Sequence, residues 1–138
     1  MDTDKLRNLS QEGQKNIEEK ILQLCNPQEI AKELMSALET EAAKQAKEGK
    51  HEAETSFTIW FKRHTYTINS GTTKMINDGP LASCDNAGEL SNVLLDMVRK
   101  YVDDNIQLKL KADDDPPYED QFSKIWSEGT YLVATLSW

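Results

Sequence analysis

The sequence predicts an α+β domain: an antiparallel sheet of about four strands with helices on one face, in the order ααββαββ. Three observations carry this. The first fifty residues keep apolar side chains at helical spacing, the period drops to two from Glu54, and helical spacing returns only once, between Ala87 and Asp103. Short strands that follow one another in the chain favour antiparallel pairing, and helices then collect on one side of the sheet. The chain of 138 residues is long enough for one domain with its own core, residues 1–50 forming an N-terminal helical segment.

A first helix is expected from about Ser10 to Cys25, with Ile17, Ile21, Leu22 and Leu24 as a narrow apolar stripe. The second has strong boundary signals. Asn26 suits an N-cap, Pro27 the first helical turn, and Glu29 stands three residues after the cap. Ile30, Leu34, Ala37, Leu38 and Ala42 recur at spacings of three and four. Gly49 ends the helix, with Lys44, Lys47 and Lys50 at the negative end of its dipole.

Phe57, Ile59 and Phe61 then alternate with Thr58 and Trp60, and after Phe61 the apolar parity moves to Tyr66 and Ile68. A flat strand cannot change parity without turning its apolar face to water. A turn or bulge is therefore expected at Lys62–Thr65, separating two short strands, with Trp60 on a wet face or under a helix. Asn69-Ser70-Gly71 and Asn77-Asp78-Gly79-Pro80 read as turns, with a short extra strand at Lys74–Ile76 between them. The third helix, Ala87–Asp103, carries the cleanest stripe: Leu90, Val93, Leu94, Met97, Val98 and Tyr101. Asn86 and Glu89 form its predicted capping box. Ile106, Leu108 and Leu110 alternate with Gln107, Lys109 and Lys111, a half-buried strand. Phe122, Ile125 and Trp126 read as one helical turn, and Thr130–Trp138 as the last strand.

Composition narrows the function. Sixteen basic residues against 24 acidic ones give a net charge of −8, which excludes a globally basic nucleic-acid binder. No window is long and apolar enough to span a membrane, and the first residues lack the apolar core of a signal peptide. Cys25 and Cys84 read as two reduced, largely buried thiols in a cytoplasmic protein. No cofactor or metal motif is complete. His51 and His64 lack partners at zinc spacing, and the chain has no Pro-Cys-x-x-Cys. Cys84 before a helix, with His64, is the one nucleophile pair to consider, although Asp85 disfavours a thiolate there. Ser70-Gly71-Thr72-Thr73-Lys74 lacks the second glycine of a P-loop.

The strongest departure is acidic. Residues 101–138 hold eight acidic and three basic side chains, a net of −5. Asp103, Asp104, Asp113, Asp114, Asp115, Glu119 and Asp120 stand at the ends of one strand and in the loop after it, and Pro116-Pro117 stiffens that loop. The run lacks the ligand order of an EF-hand. These seven residues are the candidate partner-binding set, presenting carboxylates to a protein with a basic surface such as a nucleic-acid-binding groove. Lys62-Arg63-His64 beside Trp60 and Tyr66 is a nucleic-acid contact in miniature, too small for direct nucleic-acid binding by an acidic chain.

In size, charge and helix–strand style the chain resembles small acidic proteins of phages and other mobile elements, including anti-CRISPR inhibitors. The resemblance implies a non-enzymatic inhibitor and assigns no site residues. The alternative is an anion- or nucleotide-binding oligomer, in which the Gly71 loop, Lys74, Arg63 and the start of the third helix enclose the ligand. A further reading is a homo-oligomer joined through a free edge at Tyr131–Leu136.

Overall fold

The structure, a computed structural model, describes residues 2–113 and 117–138. The described elements are α1 (Thr3–Leu24), α2 (Pro27–Lys47), β1 (Glu52–Thr67), β2 (Thr72–Asp78), α3 (Ala87–Arg99), β3 (Gln107–Ala112), β4 (Tyr118–Glu119) and β5 (Ser123–Ser137). The fold is α+β, with three helices and an antiparallel five-stranded sheet in the order β2-β1-β5-β3, and β4 pairing β5 beyond the end of β3.

Helix starts follow their caps. Asp2 accepts from the Lys5 N–H at 3.1 Å, which begins α1 seven residues earlier than the apolar stripe alone suggests. Asn26 accepts from the N–H groups of Gln28 and Glu29 at 3.0 and 3.3 Å, as its position predicts. The expected capping box of α3 is not formed, since Asn86 makes no side-chain cap bond. The burial of Ala87, Leu90, Leu94, Met97 and Val98 holds that helix in its place.

The sheet corrects three expectations. The parity change is not a break at Lys62–Thr65. β1 is one 16-residue strand, and its register shifts between Thr58 and Trp60. Ile59 is the extra residue of that bulge, fully buried, and its carbonyl accepts from the Leu81 N–H at 3.1 Å. Gly79 makes this approach possible, with φ 90° and room for no Cβ: one placed there would lie 2.4 Å from the Ile59 oxygen. The bulge turns Trp60 to the face of Phe57, and both pack on the core. Phe122, Ile125 and Trp126 form no helical turn. Ile125 and Trp126 lie within β5, whose backbone is paired on both sides at Lys124 and Ile125. Finally, β5 runs between β1 and β3 from Thr130 to Thr135, so the edge expected at Tyr131–Leu136 is covered as far as Thr135.

Pairing is staggered, and this divides the sheet. Its inner half joins Glu52–Thr58 of β1 to Tyr131–Ser137 of β5 and to β3. Helices α2 and α3 cover one face of that half, burying Ala53, Leu132 and Ala134 against Leu34, Leu38, Leu90 and Leu94. Its outer half joins β2 to Phe61–Thr67, and these to Ser123–Gly129 and β4. No residue of β1 beyond Trp60, and none of β5 before Leu132, belongs to the core. The outer half is therefore a sheet arm, about 23 Å long at 3.3 Å per residue. No described helix is long and apolar enough to cross a membrane.

Candidate partner-binding surface

Alternation along paired strands decides which side chains share the helix-free face. Glu52, Glu54 and Ser56 of β1 stand opposite Ser137, Thr135 and Val133 of β5, which in turn stand beside Gln107 and Lys109 of β3. Their odd-numbered neighbours Ala53 and Phe57 point into the helix-covered core. Two shallow grooves adjoin on the open face and share Glu54. One, of about 570 Å³, is bounded by Glu52, Glu54, Asp104 and Lys109. The other, of about 440 Å³, is bounded by Glu54, Lys111, Asp113 and Tyr131.

The structure thus brings Asp104 and Asp113 onto one trough along β3, with Glu52 and Glu54 between them. β3 itself separates the two aspartates by roughly 20 Å. The turn that carries Asp104 is fixed by Arg99, whose guanidinium donates to the carbonyl oxygens of Val102, Asp103 and Ile106. Asp113 is held by its own N–H, which donates to the Gly129 carbonyl at 2.9 Å, and its Oδ2 accepts from the Ser127 hydroxyl at 2.9 Å. Arg99, Lys109 and Lys111 line the same trough, so it is a mixed surface in which four carboxylates stand among three cationic side chains.

The other predicted carboxylates go elsewhere. Asp103 lines a groove on the helix side with Met35, Leu38 and Leu136. Glu119 stands on β4 opposite Lys124, at the edge of the arm. Asp120 shapes the turn after β4. Its Oδ1 accepts from the N–H groups of Phe122 and Ser123 at 2.7 and 2.8 Å, and Tyr118 Oη donates to its Oδ2 at 3.2 Å. Those backbone donors hold its carboxyl below the ordinary value. Asp114 and Asp115 lie outside the described residues.

Beside Asp120, Tyr118 and Phe122 are 58 % and 55 % exposed, aromatic side chains that sequence reading had placed in a loop and a packed turn. Glu52 and Glu54 were also missed as site residues. Their signal was present as the period-two alternation that opens β1, matching the Lys109/Lys111 alternation of β3.

The chemical pairs considered from sequence do not form common sites. His64 stacks on Trp126, ring centroids 5.0 Å apart and planes 7° apart, out on the arm. Cys84 is buried in the core, where its neighbour is Cys25. Both cysteines are free thiols, and burial, with Cys84 adding to it, pushes the Cys25 thiol above its ordinary value. The Gly71 loop is the turn between β1 and β2, and Ser70 and Thr72 hydroxyls bond across it at 2.6 Å. The segment leading to α3 is anchored at Ile59, eight residues and roughly 26 Å back along β1, so loop and helix start enclose nothing together. Among the described residues no group of three or more His, Cys, Asp or Glu side chains is arranged to hold a metal ion. No family model, curated protein or solved structure matches this chain.

Proposed function

We propose that this protein is a non-enzymatic binding protein whose helix-free sheet face docks a basic surface of a partner protein. The observation that carries this is the trough on that face, with Glu52 and Glu54 between Asp104 and Asp113. The trough rests on three hydrogen-bonded strands, β1, β5 and β3. A partner's Arg and Lys side chains would meet carboxylates held in fixed positions, which limits the ordering cost of association. Tyr118 extends the surface at the arm end with a large, exposed aromatic. The partner's own nucleic-acid-binding groove has the complementary chemistry, and occupying it would make this protein an inhibitor.

The test uses the partner that a tagged full-length chain captures from its native cells. Glu54→Gln, Asp104→Asn and Asp113→Asn together keep the side-chain shapes and hydrogen-bond acceptors. They should weaken binding at least about tenfold, and added salt should weaken wild-type binding, because exposed charges are screened over about 8 Å at physiological ionic strength. Undiminished affinity in the triple variant refutes the reading.

A further inference from the structure

A different surface has no assigned occupant. Every residue of α1 from Thr3 to Ile17 is exposed, and the helix joins the core only at Ile21, near its end. Leu6, Leu9, Ile17 and Leu24 are 48 %, 54 %, 36 % and 37 % exposed and fall on one side of this 22-residue helix at spacings of three, eight and seven. Gly13 lies on the same stripe, although glycine inside a helix costs about 1 kcal/mol relative to alanine. A Cβ at Gly13 would meet nothing within 4 Å, so the fold of one chain supplies no reason for a glycine there.

We propose that α1 is the docking surface for a second copy of this chain, the two helices crossing antiparallel at Gly13. The pattern is symmetric about that residue: Leu9 and Ile17 stand four positions before and after it. A twofold axis through Gly13 therefore sets Leu9 of each copy against Ile17 of the other, and the missing side chains let the backbones approach. The antiparallel direction opposes the two helix dipoles and places the two sheet domains at opposite ends of the pair. The opposite side of α1 carries Asp4, Glu12 and Glu19 as well as Lys5 and Lys15, with the exposed Leu22 among them, a mixed charge that does not suit an anionic lipid surface.

Surface area supports an absent partner of this kind. The chain exposes 9330 Å², whereas a compact monomer of 15.7 kDa exposes about 7,300 Å². The excess of roughly 2,000 Å² is shared between the projecting α1 and the sheet arm, and it exceeds the 800 Å² or so per partner that a standard interface removes from water. An exposed helical segment with one apolar stripe also gains its persistence from packing, since short isolated helices are marginal in water.

The experiment is the molar mass of the full chain by light scattering and sedimentation, from low to high micromolar concentration. The expected mass at the upper end is twice 15.7 kDa. Gly13→Leu is the diagnostic variant, because it raises helix propensity and meets open space in one chain while filling the crossing point of two. It should keep the circular dichroism of a folded protein and weaken self-association by about tenfold or more. Ile17→Lys should do the same by removing the apolar contact. A monomer at every concentration overturns the proposal, and so does a Gly13→Leu protein that associates as tightly as wild type. The Glu54, Asp104 and Asp113 variant should dimerise normally, so failure of the trough and failure of this interface remain distinguishable. Spin labels on Thr3→Cys in a Cys25→Ser background check direction. Antiparallel helices hold the two labels roughly 30 Å apart, at 1.5 Å per residue over twenty residues, and near contact refutes that direction.

Discussion

The bulge at Ile59 sets which side chains face the helices and which face the open arm, and Gly79→Ala tests it. Two costs add. Gly79 has φ 90°, where an L side chain costs about 1–2 kcal/mol. The new methyl would lie 2.4 Å from the Ile59 oxygen and 2.7 Å from its carbonyl carbon, both backbone atoms, so the strands must separate by about 1 Å to reach ordinary contact. That movement removes the acceptor from the Leu81 N–H, now bonded at 3.1 Å beside a fully buried side chain, and an unsatisfied buried donor costs about 1–3 kcal/mol. The total is about 2–5 kcal/mol. Gly71→Ala is the control: φ is 63°, but nothing lies within 4 Å, so only the backbone strain of about 1–2 kcal/mol applies. Urea unfolding followed by tryptophan fluorescence reads both. With a slope of about 1–3 kcal/mol per molar, Gly79→Ala should lower the midpoint by about 1 M or more, and distinctly further than Gly71→Ala. Equal midpoints for the two variants would refute the close-approach account of the bulge.

Two further outcomes follow from the perturbed groups. Because its folded value is depressed, the contribution of Asp120 to the arm turn is present above the ordinary carboxylate range and is lost as pH falls through the lowered value; the protection of the Phe122 and Ser123 amides, taken relative to the intrinsic exchange rate at each pH, should fall there, and Asp120→Asn should abolish that acid step. The raised Cys25 thiol should react with iodoacetamide more slowly at neutral pH than a free thiol such as glutathione, measured by mass; reaction at the glutathione rate would contradict the burial assigned to it.

Elements with an internal signal were legible from the residues. The α2 boundaries follow from Asn26 and Pro27, whose preferences are local, and α3 follows from a stripe that needs no knowledge of its partner. The strand pattern of β3 was readable for the same reason. Trp60 was not, because its face depends on one extra residue at Ile59, and the reason for that residue lies twenty positions later in Gly79 and Leu81. The acidic set was visible as composition. Its division was not: Asp104 and Asp113 meet Glu52 and Glu54 only because β5 brings β1 and β3 into one sheet, while Asp103 turns to the helix side and Asp120 is used by a turn.

Local preferences and hydrophobic period were therefore enough to determine the α+β class, the two buried helices and the excess of carboxylates toward the C-terminus, since each is a property of neighbouring residues. The tertiary structure alone decided the staggered pairing that extends an arm past the helices, the trough on the open face and the bare flank of α1. Strand register and the covering of a face depend on contacts between segments far apart in the chain, and no short window of residues records them.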